Sequence, residues 1–144
     1  MLHRHDITRA ARGWIGTPYR HQASLKGAGC DCLGLVRGIW RDCIGAEPER
    51  LPAYSADWAE AGAGETLLGA ALRHLVPVDC HQARAGDVLL FRWRAHLPAK
   101  HAGILTAPFA MVHAHEGAAV CEINVSDWWL RHRAAAFSFP GLQD

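Results

Sequence analysis

The residues best suited to chemistry are three cysteines within GAGCDCLGLVRGIWRDC, residues 27–43. Thiols at this spacing could bind a metal ion, form a disulfide or supply a nucleophile. A disulfide framework is not favoured, because five cysteines cannot all pair and the N-terminus has no recognisable secretory signal. Metal binding and nucleophilic catalysis are the two alternatives, and each requires its own partners.

A metal site would need ligands from distant parts of the chain. CDC and HAH each place one residue between candidate ligands, whereas structural zinc sites usually separate paired ligands by two to four residues. Cys30, Cys32, His113 and His115 could nevertheless meet in the folded protein. A metal centre built from these side chains stays an alternative.

Cys32 is the thiol in the best position for a nucleophile. Apolar residues recur from Cys32 to Cys43 at the spacing of one helical face, so a helix should begin at or next to Cys32. A helix N-terminus favours thiolate over thiol and offers unpaired N–H groups to a developing oxyanion. Asp31 could cap this helix, although its charge would oppose thiolate formation, and Gly34 would allow a close approach. The alternative is a core cysteine that begins an apolar face.

The other three thiols have less specific settings than Cys30 and Cys32. Cys43 ends the same helical face, and Cys121 lies in a strand-like apolar run, so both are expected to be small buried residues. Cys80 lies in a polar connection and has no readable role.

A thiol nucleophile needs a base, and three histidines lie in strand-like runs. HAGILT and AMVHAH flank Pro108, and a hairpin between them would pair positions whose numbers sum to about 216. His101 would then lie opposite His115 and diagonal to His113, and the last two would share a face. Each could instead be a structural histidine, and the register alone does not choose between His113 and His115.

The elements that would position these residues change type along the chain. Helical spacing covers residues 7–15, 32–43 and 67–75. Asp6 is a candidate cap for the first helix, GTPYRHQASLKGAG is expected to be a loop, and LPAYSADW a connection. After Pro77, short apolar runs predict strands, with a helical turn at SDWWLRH before the last one. These runs are DVLLFRW, HAGILT, AMVHAH, AVCEI and AAFSF. Helices followed by an antiparallel sheet predict an α+β fold, in one domain over residues 1–144.

Composition excludes several classes of partner. The formal net charge is +1, with 15 basic and 14 acidic residues interspersed, so there is no basic surface for nucleic acid or an anionic membrane. No run approaches the roughly 20 apolar residues of a membrane span. We expect no nucleic acid partner, no membrane insertion, and synthesis in the cytoplasm without a signal peptide.

Short motifs in this chain resemble those of the NlpC/P60 cysteine peptidases, papain-like hydrolases of bacterial cell-wall peptides. The resemblance covers roughly residues 7–139, and the motifs occur in the family's order. They are GTPY at 16–19, DCLGLV at 31–36, AGDVLLF at 85–91, HAGIL at 101–105 and MVHA at 111–114. The closest likeness is to small single-domain members from phage tail modules and gene transfer agents.

The resemblance implies a role for each matching residue. Cys32 is then the nucleophile, His101 the base and acid, and His113 the residue that orients His101. Tyr19 matches a tyrosine thought to help form the oxyanion site, and Asp31 a residue that contacts the substrate's amino end in some members. No metal or organic cofactor is implied.

The resemblance also implies a papain-like fold and a substrate. The expected reaction is hydrolysis of a peptidoglycan stem-peptide amide, at the bond from γ-D-glutamyl to a diamino acid. The expected setting is local opening of the recipient's cell wall by a phage-like tail during DNA delivery, with tail-tip or hub proteins as partners and the virion as location. The alternatives are a catalytically silent tail adaptor, and an amidase, deubiquitinase-like enzyme or acyltransferase on the same scaffold.

Three features depart from the family pattern or lie outside it. Leu33 stands where many members have serine, so a preference for a free N-terminal alanine is not carried over. Cys30 is a harmless small residue or a second thiol able to form a disulfide on oxidation. Trp128 and Trp129 could form a docking patch or carbohydrate platform, or pack in the core.

Overall fold

A computed structural model describes residues 1–49 and 65–144. The described residues form four α-helices: α1 (Arg4–Gly13), α2 (Cys32–Cys43), α3 (Thr66–His74) and α4 (Asp127–Arg131). They also form ten strands: β1 (Leu2–His3), β2 (Ser24–Leu25), β3 (Gly29–Cys30), β4 (Val76–Val78), β5 (Val88–Phe91), β6 (His101–Ala107), β7 (Ala110–His113), β8 (Cys121–Asn124), β9 (Arg133–Ser138) and β10 (Leu142–Gln143). The predicted connection LPAYSADW lies outside the described residues.

Six of the strands form one antiparallel sheet, in the order β4-β9-β5-β6-β7-β8. The predicted α+β arrangement, with helices ahead of an antiparallel sheet, is confirmed. The hairpin register is confirmed as well, because the paired positions of β6 and β7 sum to about 216. These pairs are Gly103 with His113, Ile104 with Val112, and Leu105 with Met111.

Helices α1 and α2 cover one face of the sheet and pack against each other and against β6. The apolar face predicted for α2 packs there, because residues three and four apart share one side of a helix. Of this face, Cys32, Leu35 and Ile39 are buried, and Val36, Trp40 and Cys43 are partly buried. The buried residues of this layer include Ile7, Ala11, Trp14, Leu35, Ile39, Val88, Leu90, Ala102, Ile104, Val112 and Phe137. This layer fixes the N-terminus of α2 against the start of β6.

The opposite face of the sheet is buried too. Leu89 and Phe91 alternate with Val88 and Leu90 along β5, and all four are buried. A second cluster on that face joins Leu89, Phe91, Leu105, Met111, Val125 and Ala136. Trp129 packs against this cluster, which confirms core packing as its use. Trp128 is 44% exposed, so core packing is the wrong interpretation for that residue.

The structure corrects the predicted cap of the first helix. Helix α1 begins at Arg4 after the N-cap residue His3, so Asp6 is not the cap. Its carboxylate instead accepts a hydrogen bond from the His3 backbone N–H at 2.8 Å, as in a capping box, because it lies three residues after the cap.

Two further expectations differ from the structure. Residues of the predicted loop GTPYRHQASLKGAG take part in β2 and β3, which are too short for a periodic signal. Cys43 and Cys121 are only partly buried, because each lies at the end of its element rather than under the packed layers. None of the helices in the described ranges is long and apolar enough to span a membrane.

Candidate active site

Cys32 is the first residue of α2, and Asp31 is its N-cap. The Asp31 carboxylate accepts 2.7 Å hydrogen bonds from the backbone N–H groups of Gly34 and Gln22, so it closes the helix and holds the preceding turn. The predicted capping role is therefore confirmed. The N–H groups of Cys32 and Leu33 belong to the first turn and have no helical carbonyl to pair with.

Tyr19 is held beside this helix end by backbone pairing. Its segment forms a parallel bridge to Cys30, with Cys30 N donating to Pro18 O and Arg20 N to Cys30 O, both at 3.0 Å. Gly34 allows the same loop to pack tightly, because a Cβ on this residue would lie 1.8 Å from the Ala23 carbonyl oxygen. The close approach predicted at Gly34 is thus confirmed, and the approaching segment is a loop.

His101 and His113 form a hydrogen-bonded pair on the sheet. His101 Nε2 lies 2.9 Å from His113 Nδ1, and both side chains are about 4% exposed. The rings are nearly perpendicular, with centroids 5.1 Å apart. His115 lies 5.4 Å from His101 between ring centroids, is exposed, and directs its own Nδ1 to the Glu116 carbonyl. The structure therefore selects His113 as the hydrogen-bonding partner of His101.

Aromatic rings surround His101 on the remaining sides. Trp93 stacks on its ring at 5.5 Å with planes 27° apart, and Trp129 lies at 5.5 Å with planes 31° apart. Phe91 lies 6.0 Å away. These rings leave the imidazole little freedom to rotate and remove water from around it.

Cys32 and His101 line one cavity of about 220 Å³. Tyr19 and Asp31 line it as well, so four of the five predicted site residues share its wall, with His113 directly behind His101. Sequence reasoning missed four residues that also line this cavity: His21, Trp93, Lys100 and Glu116. Lys100 could have been found because it immediately precedes His101, whereas the others reach the cavity through loops and have no sequence signal.

The thiol of Cys32 is held in its neutral form. Burial raises its pKa to about 12, and the Asp31 charge adds to the rise, while backbone N–H groups of Ala102, Leu33 and Cys32 itself oppose it. Sγ lies 3.7 Å from the Lys100 carbonyl oxygen, to which the thiol proton can be donated. The N–H groups at the helix start lower the thiol pKa, as expected, but burial has the larger effect and the net pKa is raised.

The other polar groups are kept neutral in the same way. Burial holds the pKa of His101 well below its ordinary value, and His113, His115 and Lys100 lower it further. Burial lowers the pKa of His113 to about 4. Burial raises the pKa of Tyr19 to about 12, with contributions from Cys32 and Asp31, so its hydroxyl remains a donor.

This arrangement suits acyl transfer with a base that is neutral at the start. A neutral imidazole whose Nε2–H donates to His113 keeps Nδ1 available to accept a proton. The described part of the chain contains no group of three His, Cys, Asp or Glu side chains arranged to hold a metal ion. Cys30 is fully buried and does not line this cavity, so unlike Cys32 it has no access to a substrate bound there.

The chain is similar to known proteins in both sequence and structure. The model of the NlpC/P60 family matches residues 16–136, a range that contains every residue of the cavity. The murein DD-endopeptidase MepH of Escherichia coli is 25% identical over 124 residues, which make up 85% of this chain and 41% of MepH. The chain thus spans about two fifths of that relative.

Solved structures of the same fold align over nearly the whole chain. The NlpC/p60 domain of the peptidoglycan hydrolase SagA aligns with a TM-score of 0.63 at 22% identity, over 96% of this chain and all of that domain. An NlpC/P60 family protein from Bacillus cereus gives a TM-score of 0.68 at 19% identity, over 94% of this chain and 40% of its own. A lipoprotein-like NLP/P60 protein from Staphylococcus aureus aligns with a TM-score of 0.64 at 18% identity, over 98% of this chain and 42% of its own. These likenesses confirm the expected fold.

Proposed function

Since the chain belongs to the NlpC/P60 family, whose model matches residues 16–136, we propose that it is a thiol peptidase that hydrolyses amide bonds in peptidoglycan peptides. One observation carries the proposal. Cys32 begins a helix on the same cavity as His101, and Nε2 of that imidazole is already engaged by His113. A nucleophile, a base and an orienting group therefore occur in one place.

The proposed reaction passes through a thioester. Sγ of Cys32 attacks the amide carbonyl carbon as His101 takes the thiol proton, and His101 returns that proton to the leaving amine. The N–H groups at the start of α2 and the Tyr19 hydroxyl stabilise the oxyanion. Water activated by His101 then hydrolyses the thioester and restores the thiol.

Because Cys32 and His101 are both neutral in the empty site, proton transfer and bond formation occur in a defined order. A thiol whose pKa is about 12 does not ionise in the empty site, so it loses its proton only as the carbon–sulfur bond forms. The lowered pKa of His101 keeps the base unprotonated while it waits for substrate. The two shifts are consistent with general-base catalysis rather than a preformed ion pair.

The bond we propose is the one between γ-D-glutamyl and the diamino acid of the stem peptide. It is supported by the motif resemblance of the Cys32 and His101 segments. A DD-endopeptidase activity, which cuts between D-residues, is the second candidate, because MepH is named for it and covers 85% of this chain. The two bonds release different new amines, so they are directly distinguishable.

The deciding experiment is digestion of purified peptidoglycan, with the new amine identified by mass spectrometry. With the wild-type protein we expect a free γ-carboxyl on D-glutamate together with the diamino acid amine that had been joined to it, and neither with Cys32→Ala. Cys80→Ala is the matched control, because that thiol is partly buried outside the cavity and its removal should leave the products unchanged.

The same digestion distinguishes the rival functions. A structural adaptor would release nothing with either wild type or variants. An amidase would release the peptide from the sugar, and an acyltransferase would give a product only when an amine acceptor is added. Each of these results would contradict the proposed peptidase activity.

We place the activity in a phage-like tail that opens the recipient's wall locally during DNA delivery. This role is supported by the resemblance to small tail-module members and by nothing in the chemistry of the site. The protein would be made in the cytoplasm, incorporated with tail-tip or hub proteins, and would act in the periplasm or wall of the recipient. Mass spectrometry of purified particles tests it, since absence of the protein from the particles would contradict the role.

A further inference from the structure

The loop between β5 and β6, residues 92–100, forms one wall of the cavity that contains Cys32. Trp93 and Lys100, near its two ends, both line that cavity. The Lys100 carbonyl oxygen lies 3.7 Å from Cys32 Sγ, and the Trp93 ring stacks on His101 with centroids 5.5 Å apart. The position of this loop therefore sets what surrounds both the thiol and the imidazole.

The carboxylate of Glu65, the residue before α3, holds the loop at both ends. Its Oε2 accepts a hydrogen bond from Arg92 Nη1 at 2.8 Å, and its Oε1 accepts one from the Ala99 backbone N–H at 2.9 Å. Arg92 Nη1 also donates to the Leu97 carbonyl oxygen at 2.7 Å. The guanidinium and the carboxylate together tie the start of the loop to its end.

Each residue that Glu65 holds comes directly before a residue of the cavity wall. Arg92 precedes Trp93, and Ala99 precedes Lys100. Ala99 is fully buried, and the Lys100 N–H donates to the carbonyl of the last residue of β5 at 3.0 Å. Because Ala99 and Lys100 share one rigid peptide plane, a shift of Ala99 would also displace the Lys100 carbonyl.

We propose that Glu65 is a positioning residue for the reaction of Cys32, because it holds the loop so that the Lys100 carbonyl meets the thiol and the Trp93 ring meets His101. This proposal rests on the function proposed above and adds to it a residue outside the cavity. Glu65 does not line the cavity, so it acts through the loop.

The two contacts of Glu65 differ in weight. The ion pair with Arg92 contributes little by itself, since the side chains of Glu65 and Arg92 are 42% and 24% exposed. The bond from Ala99 matters more, because a buried N–H that loses its acceptor is costly. Glu65→Ala removes both contacts. Glu65→Gln keeps an oxygen for the Ala99 N–H but presents its amide nitrogen to Arg92.

The test measures iodoacetamide labelling of each cysteine at pH 8, together with kcat on a stem peptide. In Glu65→Ala we expect Cys32 to label about three- to tenfold faster, because a loosened loop releases the thiol from the Lys100 carbonyl and reduces its burial. The value of kcat should fall about 10- to 100-fold, since thiol and base lose their alignment. Glu65→Gln should lie between wild type and Glu65→Ala in both measurements, and it decides the question if Glu65→Ala does not fold.

Glu49→Ala is the matched control, because its carboxylate also anchors α3, through Arg73 and His74. It should leave the Cys32 labelling rate and kcat at their wild-type values. Faster labelling of Cys32 combined with slower turnover is the signature of positioning, because a general loss of stability would expose the other thiols as well.

An unchanged Cys32 labelling rate in both Glu65 variants would overturn the positioning role. So would an equal acceleration at Cys80, which lies outside the cavity, or an unchanged kcat beside faster labelling. If wild type cleaves no stem peptide, the proposed hydrolysis fails, and the Cys32 labelling rate still decides whether Glu65 holds the loop.

Discussion

His101 Nε2 lies 2.9 Å from His113 Nδ1, and this contact determines which nitrogen of His101 is available for chemistry. A hydrogen bond between two neutral imidazoles needs one N–H. When His101 Nε2 supplies it, Nδ1 is left as the basic nitrogen of a ring held by Trp93 and Trp129. His113 thus holds the orientation of the ring, and the tautomer with the proton on Nε2 is the one that the proposed base requires.

Replacing His113 should therefore slow turnover without removing the base. An orienting residue of a hydrolase triad can be worth up to about 10⁴-fold, and a neutral partner is weaker than a carboxylate, so we expect about a 10- to 100-fold fall in kcat for His113→Ala. His113→Asn should retain more activity, because its side-chain oxygen can accept the same hydrogen bond. Steady-state kinetics on a stem peptide measure both, and unchanged turnover in His113→Ala would remove His113 from its proposed role.

The acidic limit of activity should lie below the ordinary histidine range. Burial holds the pKa of His101 well below its usual value, and the ring acts as a base only when unprotonated. The rate should thus persist as pH falls through about 6.5 and decline at lower pH. A profile of kcat/KM between pH 4 and pH 8 measures this, and a half-maximal rate at or above pH 6.5 would contradict it.

Acid unfolding must be separated from this effect. The pKa of His113 is about 4 in the fold, so between pH 6.5 and pH 4 the unfolded chain takes up a proton that the folded chain does not. The stability that depends on neutral His113 is therefore fully present above the histidine pKa of the unfolded chain, about 6.5, and falls as the pH drops toward 4. Circular dichroism melting curves over the same pH range show where loss of rate is loss of fold, and His113→Asn should weaken the dependence.

The helix and the hairpin that carry the site could be predicted because their signals are local. Apolar residues at helical spacing place the start of α2 at Cys32, and Pro108 fixes the midpoint of the hairpin that brings His113 to His101. The loop that brings Tyr19 to Cys30 could not be predicted, since it depends on backbone pairing between segments without periodicity. The positions of His21 and Glu116 on the cavity wall could not be predicted from the sequence for the same reason.

Local sequence patterns also do not show how deeply a side chain is buried in the folded protein. The sequence places Cys32 at a helix N-terminus, which predicts a stabilised thiolate, yet the depth of the sulfur under β6 decides the pKa. The start of the first helix could not be predicted either. Leu2 and His3 pair with β10, and the helix begins at Arg4, earlier than the apolar spacing indicates, so Asp6 lies inside it. The extent of the domain over residues 1–144 stays a prediction.

Asp31→Asn should make Cys32 more reactive. The Asp31 charge contributes to the raised pKa of the thiol. Asparagine keeps an oxygen that can cap the helix at Gly34 N–H, although its amide nitrogen cannot accept the second hydrogen bond, from Gln22 N–H. We expect iodoacetamide to label Cys32 roughly three- to tenfold faster at pH 8, read for each cysteine by peptide mass spectrometry. Asp42→Asn is the control, since that charge raises the pKa of Cys43 and should accelerate labelling of Cys43 only. An unchanged Cys32 rate in Asp31→Asn would contradict the electrostatic account.

Gly34→Ala should destabilise the protein and lower its activity. Its Cβ would lie 1.8 Å from the Ala23 carbonyl oxygen, so the loop that carries Tyr19 has to move. Overpacking of this kind costs about 1–3 kcal/mol in the free energy of unfolding. Gly69→Ala is the matched helical control, because its Cβ meets only the Arg73 side chain at 3.4 Å and should add about 0.5–1 kcal/mol of stability. Urea denaturation measures the free energy of unfolding of both variants. An equal change in the two would contradict the predicted clash, because it would mean that the loop moves at little cost.

Tyr19→Phe isolates the oxyanion contribution. The substitution removes the hydroxyl but keeps the ring and the backbone bridge to Cys30, so the fold and the position of the loop are retained. Because burial keeps the Tyr19 pKa at about 12, the hydroxyl is protonated throughout the working range and is available to donate. Loss of one oxyanion donor should lower kcat by about 100- to 1000-fold with little change in KM, since the bond forms mainly in the transition state. A fall confined to KM would assign Tyr19 to substrate binding instead, and a melting temperature lowered in parallel with kcat would assign it to the fold.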